Sequence, residues 1–499
     1  MAAKLVLAVD QGTTGTRSYL FDARARVVGS AYCEITQYFP KPGWVEHDPM
    51  EIWRSVEDTG RAALKAAGVK ASAIAAIGIT NQRETSVLWD RKSGRPLHKA
   101  IVWQCRRTAD RCEELKKSGQ AKLFRSKTGL VLDPYFSGTK LEWLLKNVPG
   151  AAKKAAAGSL AFGTIDSWLL WNLTNGAVHA TDFSNASRSL LFDIRAKAWD
   201  PQLQRLLHVP DAVLPNVQAS ASHFGSTGAR SFLGAGIPIS GIAGDQQAAL
   251  FGQGCTEPGT VKNTYGTGCF LLLNLGKKFR LSKNGLLTTL VCDAKGQPAY
   301  GLEGSVFIGG AAIQWLRDGL GIIKHSRDSE RLASSVKDTG GVYLVPAFVG
   351  LGAPYWDASA RGALIGLTRG SNKAHIARAA LESLAFQTND LVEAMRKDSG
   401  LKISELRVDG GASQNNLLMQ FQADLLNARV ERPQMTETTA LGAAFLAGLQ
   451  TGFWKSAATL QGLRKVDKVF KPRMRTQERK RLKAGWDDAV SRVLSRQTS

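Results

Sequence analysis

The stretch Leu5-Val6-Leu7-Ala8-Val9-Asp10-Gln11-Gly12-Thr13-Thr14-Gly15-Thr16-Arg17 decides the fold. Its short apolar run reads as a buried strand. The Gly/Thr turn behind it lets the backbone double back and approach an anion. The pattern returns far down the chain, in Leu406-Arg407-Val408-Asp409-Gly410-Gly411-Ala412-Ser413-Gln414-Asn415-Asn416. Between the two lie Ile242-Ala243-Gly244-Asp245-Gln246-Gln247 and Asn263-Thr264-Tyr265-Gly266-Thr267-Gly268. Gly-rich turns after apolar strands in both halves predict two related domains with a ligand between them. Strand-like segments such as 74–80 alternate with helical ones such as 377–396, which predicts an α/β fold with buried sheets. The turn composition of 252–259 places a boundary there, giving domains 1–253 and 254–499. Asp48-Pro49-Met50-Glu51 reads as a helix start, with Asp48 as cap, Pro49 in the first turn and Glu51 reaching back.

The chain has 499 residues, a length expected for about two to three domains. With 44% hydrophobic residues it has material for large cores. No apolar run approaches the roughly 18–20 residues of a membrane span. The apolar stretch at the N-terminus is too short for a signal peptide, so a cytoplasmic protein is expected. Cys33, Cys105, Cys112, Cys255, Cys269 and Cys292 form no C-x-x-C pair, and the seven histidines do not cluster with them. That argues against a zinc site or a disulfide framework and for reduced core thiols.

The net charge of +23 invites a nucleic-acid reading. The basic residues are dispersed, however, with bunching only at Lys277-Lys278-Phe279-Arg280 and through 464–483. The stretch 473–483 reads as a solvated helix face and lacks the interleaved aromatics that stack bases. No nucleic-acid partner is expected; the charge serves to concentrate small anions by long-range steering.

Several residues suit chemistry. In 10–17, backbone N–H groups and the hydroxyls of Thr13, Thr14 and Thr16 can donate to phosphate oxygens, and Arg17 adds a fixed charge. Asp10, at the strand end, can hold Mg²⁺. The plain alternative is a polar hairpin turn, and no Walker G-K-[ST] follows. The turn 264–268 and Gly410-Gly411 have the same phosphate-binding composition. Asp245, at the mouth of an apolar run, suits a general base for a hydroxyl nucleophile, or a helix N-cap. Arg83-Glu84 is either a paired surface turn or a donor–acceptor pair for a small polyol. Trp103, Tyr135 and Phe270 can wall a carbon skeleton or simply fill the core.

Taken together, these residues resemble a known family. Asp10-Gln11-Gly12-Thr13-Thr14, the block from Pro42 to Trp53, Gly78-Ile79-Thr80-Asn81-Gln82-Arg83-Glu84-Thr85, the block from Ala100 to Thr108 and Asp133-Pro134-Tyr135-Phe136-Ser137-Gly138-Thr139-Lys140 are similar to bacterial glycerol kinases of the FGGY carbohydrate-kinase family. The similarity continues through 241–247, 263–270, 345–357 and 408–411, and spans residues 4–486. It implies two actin-like, ribonuclease-H-like domains closing a cleft over ATP and glycerol, with sn-glycerol 3-phosphate and ADP as products. It also implies that Arg83, Glu84, Tyr135, Asp245 and Gln246 bind the glycerol hydroxyls, with Trp103 and Phe270 along the carbon chain. Asp245 is then the base, and Mg²⁺ lies near Asp10 and Asp245. Thr13, Thr14, Arg17, Thr267, Gly310, Gln314, Gly411 and Asn415 form the nucleotide site. A homodimer or homotetramer is implied as well. The chain departs from the family at a regulatory loop: Leu233-Gly234-Ala235-Gly236 stands where enterobacterial relatives carry an Arg that binds fructose 1,6-bisphosphate, so weak or absent inhibition by that sugar phosphate is expected.

Overall fold

A computed structural model describes residues 4–495, so the outermost ends of the two expected domains, 1–3 and 496–499, lie outside the described residues. The strand Leu5–Gln11 is buried along its whole length. It pairs antiparallel with Gly15–Phe21 and parallel with Ile74–Asn81, which pairs parallel with Pro238–Gly244. Ala221–Ser226 and Val27–Glu34 close the edges of this six-stranded sheet. Its near-continuous Val, Ile, Leu and Ala content follows from cover on both faces.

A seven-stranded sheet in the second half repeats the plan. Val261–Tyr265 pairs antiparallel with Cys269–Gly276 and parallel with Glu405–Asp409, which pairs parallel with Arg429–Pro433. Pro298–Val306 and Leu287–Cys292 extend one side and Val466–Phe470 the other. The fold is α/β, as expected, but the internal repeat is offset from the one read in the sequence. In the pairing order, Leu5–Gln11 corresponds to Val261–Tyr265, and Glu405–Asp409 to Ile74–Asn81. The turns 10–17 and 409–416 look alike because both follow a parallel strand, not because they occupy equivalent places.

In each sheet three parallel strands end on the same edge, where ligands of open α/β sheets bind. Asp10, Gln82-Arg83-Glu84 and Asp245 stand at three such ends in the first sheet. The turns at 266–268 and 410–411 stand at two in the second. The halves are joined by crossing helices. Thr438–Gln450, late in the chain, packs on the strands of the first sheet and on Asp245–Gly252. The approach is backbone on backbone: a β-carbon on Gly442 would collide with the Ala248 carbonyl, and one on Gly78 with the Ala443 carbonyl.

Two local expectations are refined. Asp48 caps the helix Pro49–Ala67 through Met50 N at 2.8 Å and Glu51 N at 3.4 Å. Glu51 does not reach back to the cap; it accepts from the N–H and hydroxyl of Thr36, each at 2.8 Å. The basic C-terminal segment forms the helix Thr476–Ser491, with Leu482, Trp486, Ala489 and Val490 buried. One face is therefore packed and not solvated: the Trp486 ring stacks on Phe386 at 5.1 Å, and its Nε1 donates to Asp390 at 2.7 Å. All six cysteines are free, and five are buried. Among the described residues no helix is long and apolar enough to cross a membrane.

Candidate active site

Arg83 and Glu84 follow directly from the strand Ile74–Asn81 and are buried, at 3% and 1% exposure, which excludes the surface-turn reading. Glu84 holds a left-handed backbone, φ 61°, a conformation unfavourable for a non-glycine residue. Its carbonyl is pinned there by Ser137 Oγ at 3.0 Å and by the buried Lys140 ammonium at 3.2 Å. Lys140 also donates to the Tyr135 carbonyl at 2.6 Å. The helix Ser137–Asn147 thus fixes the place of both Glu84 and Tyr135.

The Arg83 guanidinium is shared among several partners. Its Nε lies 3.2 Å from Asp245 Oδ1, and its Nη2 donates to the Tyr135 hydroxyl at 3.4 Å. Asp245 opens the helix Asp245–Gly252, and its Oδ1 accepts from Gln246 N at 2.7 Å. Its side chain remains 30% exposed. Burial raises its pKa above the usual carboxylate value, outweighing Arg83 and Lys262, which suits a base that must take and give a proton. Trp103 meets Tyr135 edge-on, centroids 5.6 Å apart, and its Nε1 donates to Thr13 Oγ1 at 2.9 Å. That bond ties Trp103, packed on Tyr135, to the turn at 12–15.

Gln246 is buried and gives its side-chain oxygen to Lys262, so this oxygen is already engaged. Phe270 is half-buried on Cys269–Gly276 in the second sheet and makes no aromatic pair with Trp103 or Tyr135.

At the first turn, Gly12 N donates to Gly15 O at 2.9 Å, closing a tight hairpin. Thr14 and Arg17 are exposed and Thr13 half-buried. Thr16 is not a phosphate donor: it is fully buried and bonded to Ser55 Oγ at 2.7 Å. Asp10 is 8% exposed. Burial pushes its pKa up to about 7, Arg17 opposing and the Asp245 charge adding. Among the described residues no group of three or more His, Cys, Asp and Glu gathers. Asp10 and Asp245 offer the one or two carboxylates by which Mg²⁺ is held when phosphate and water oxygens supply the rest. The donor set fits Mg²⁺, since a divalent cation beside both would relieve their mutual repulsion.

In the second half a cavity of about 360 Å³ is lined by Thr267, Gly310, Gln314, Gly411 and Asn415, against the apolar Ile313 and Leu381. All five second-half residues of the expected nucleotide site meet there. Thr13, Thr14 and Arg17 do not line it. Asp409, before Gly410-Gly411, accepts from Gln253 Nε2 at 2.9 Å and from Thr438 Oγ1, so it anchors the crossing helices.

Residues 5–252 match the N-terminal domain, and residues 261–451 the C-terminal domain, of the FGGY family of carbohydrate kinases. The chain belongs to the FGGY family of carbohydrate kinases. It is 58% identical over 493 residues to a glycerol kinase of Carboxydothermus hydrogenoformans, covering 99% of each chain. It is 56% identical over 491 residues to a glycerol kinase of Alkaliphilus metalliredigens, covering 98% of each. Among solved structures, a Plasmodium falciparum glycerol kinase with ADP superposes with a TM-score of 0.92 at 37% identity, covering 99% of each chain. A xylulose kinase of Lactobacillus acidophilus superposes with a TM-score of 0.87 at 22% identity, a likeness of fold alone.

Sequence reasoning missed much of what supports this FGGY kinase site. Arg188, fully buried, donates from Nε to Glu84 at 2.6 Å. Glu303, in mid-strand, receives Arg83. Lys262, pulled down to about 8 by burial, bonds Gln246 and Thr264. A lone charge inside an apolar strand, as in Leu302-Glu303-Gly304 or Val261-Lys262-Asn263, was the available signal, since such a residue needs a partner.

Proposed function

We propose that the chain transfers the γ-phosphoryl group of ATP to a terminal hydroxyl of glycerol, giving ADP and sn-glycerol 3-phosphate. The observation that carries this reading is the constellation of buried Arg83 and Glu84 with the half-buried Tyr135 and Asp245. Its donors and acceptors suit the hydroxyls of a short polyol. The chain's identity to glycerol kinases over nearly its whole length supports the choice of glycerol.

Asp245 takes the proton of the attacking hydroxyl. The oxygen then bonds to the γ-phosphorus as the bond to the ADP oxygen breaks, and the proton ends on the carboxylate. Arg83 and Glu84 orient the hydroxyls, Tyr135 and Trp103 bound the carbon chain, and Phe270 approaches from the second sheet. Gln246 steadies Lys262 beside the base. Thr13, Thr14 and Arg17 hold phosphate oxygens, and the cavity at Thr267, Gly310, Gln314, Gly411 and Asn415 takes the rest of the nucleotide. Asp10 and Asp245 would hold Mg²⁺, which would supply neutralisation of phosphate charge. Positioning and charge neutralisation are most of what phosphoryl transfer requires. We divide the work between 1–253, which binds the acceptor, and 254–499, which binds the nucleotide, in a cytoplasmic dimer or tetramer.

A coupled ADP-release assay with Mg-ATP tests this reading, run with and without glycerol and beside a panel of pentuloses. Strong stimulation by glycerol is expected. A folded protein that glycerol does not stimulate, or that prefers a pentulose, overturns it.

A further inference from the structure

Glu303 lies in the middle of Pro298–Val306, a strand of the second sheet, opposite Leu272 on one side and Leu287 on the other. A carboxylate among such neighbours is unfavourable unless it is paired. It is paired twice. Arg83 reaches it through both terminal nitrogens, Nη1 at 2.5 Å and Nη2 at 3.0 Å. Arg188 Nη2 donates to it at 3.0 Å, while Arg188 Nε holds Glu84 at 2.6 Å. Arg83, Glu84, Arg188 and Glu303 are all at most 3% exposed. Two arginines and two glutamates thus close a chain of charge-assisted bonds in which only Glu303 comes from the second sheet. Burial works to raise the Glu303 pKa, but Arg188 and Arg83 outweigh it and hold it down, so the group stays ionised.

The geometry has a consequence for the acceptor pocket. A guanidinium fork gripped by one carboxylate has a single orientation. With both terminal nitrogens on Glu303, Arg83 presents its Nε edge to Asp245 at 3.2 Å. Arg188, gripped by the same carboxylate, sets the Glu84 side chain.

We propose that Glu303 is a positioning residue of the acceptor pocket: from the nucleotide-side sheet it fixes the orientation of Arg83 and, through Arg188, of Glu84, and so sets the affinity for the polyol. This rests on the reading of the site as a glycerol-phosphorylating one. Glu303 itself touches no reacting atom.

The test measures KM for glycerol, KM for ATP and thermal stability in wild type, Glu303→Gln, Glu303→Asp and Arg188→Lys. Misplacing Arg83 and Glu84 is expected to raise KM for glycerol by about 10- to 100-fold in Glu303→Gln. KM for ATP is expected to hold within about twofold. Glu303→Asp, charged but one methylene short, falls between. Arg188→Lys, which cannot serve two carboxylates as a fork does, raises KM for glycerol as well. If Glu303→Gln does not fold, the other two variants carry the same test. KM for glycerol within about twofold of wild type in the soluble variants, or equal rises for glycerol and ATP, overturns the proposal. A wild-type enzyme that glycerol does not stimulate refutes the functional reading instead, and the two failures are distinct.

Discussion

Asp245→Asn separates catalysis from stability in one substitution. The amide keeps the shape of the carboxyl but cannot take the proton. General-base assistance contributes about 10²- to 10⁴-fold, so kcat should fall by that factor, a barrier increase of about 3–5 kcal/mol. Binding should suffer far less, because Arg83 keeps Glu303 as its main partner. Stability should move the other way. At 3.2 Å the attraction to Arg83 is about 5 kcal/mol at an effective dielectric of about 20, before desolvation. Yet the Asp245 pKa is raised, so burial outweighs Arg83 and Lys262 together. A carboxyl whose folded pKa lies above its unfolded one binds more protons in the native state. Stability is then lost as pH rises from the unfolded value through the folded one. Asn escapes that loss. The melting temperature of Asp245→Asn should therefore exceed wild type, by more at pH 8 than at pH 4, near the unfolded value. The assay pairs glycerol-dependent ADP release with thermal melts at both pH values. A kcat within about threefold of wild type removes Asp245 as the base. A variant that melts lower at pH 8 refutes the claim that burial dominates its electrostatics.

Asp10, with its pKa pushed up to about 7, should hold Mg²⁺ poorly when protonated; half-saturating Mg²⁺ in the rate assay should fall from pH 6 to pH 8, and a constant value counts against Asp10 as ligand. Gly442→Ala forces a β-carbon into the Ala248 carbonyl between the crossing helices and should destabilise by about 1–3 kcal/mol in urea unfolding; an unchanged midpoint argues against backbone contact there. Arg83→Lys loses the fork that serves Glu303, Tyr135 and Asp245 and should raise KM for glycerol strongly, which a glycerol titration reads directly. Trp486→Ala removes a fully buried ring stacked on Phe386 and should lower stability by about 3–5 kcal/mol, measured by urea unfolding.

Some of this is written locally. The apolar run 5–9 can only be a buried strand, and the Asp48-Pro49 start sets its helix, because strand burial, turn glycines and caps act over a few residues. Asp10, Asp245 and Arg83-Glu84 announced themselves as charges abutting apolar runs. The sequence pattern also misled where local likeness stood in for place. The turns at 10 and 409 share composition, but in the pairing order the strand before the first corresponds to Val261–Tyr265 and the strand before the second to Ile74–Asn81. Thr16 looked like Thr13 and Thr14, yet strand alternation turns it inward to Ser55.

The amino-acid sequence by itself determined the α/β class, the strand-and-turn units and which charged residues abut apolar runs, since each depends on neighbours a few residues away. Only the tertiary structure decided which of those groups meet. Arg83 and Glu303 are 220 positions apart, and Arg188 and Glu84 are 104 apart. No local propensity encodes such a pair. It exists because the helix Asp245–Gly252 packs on strands of both sheets and brings them together, and because a charge buried by that packing must find its counter-charge wherever the chain places one.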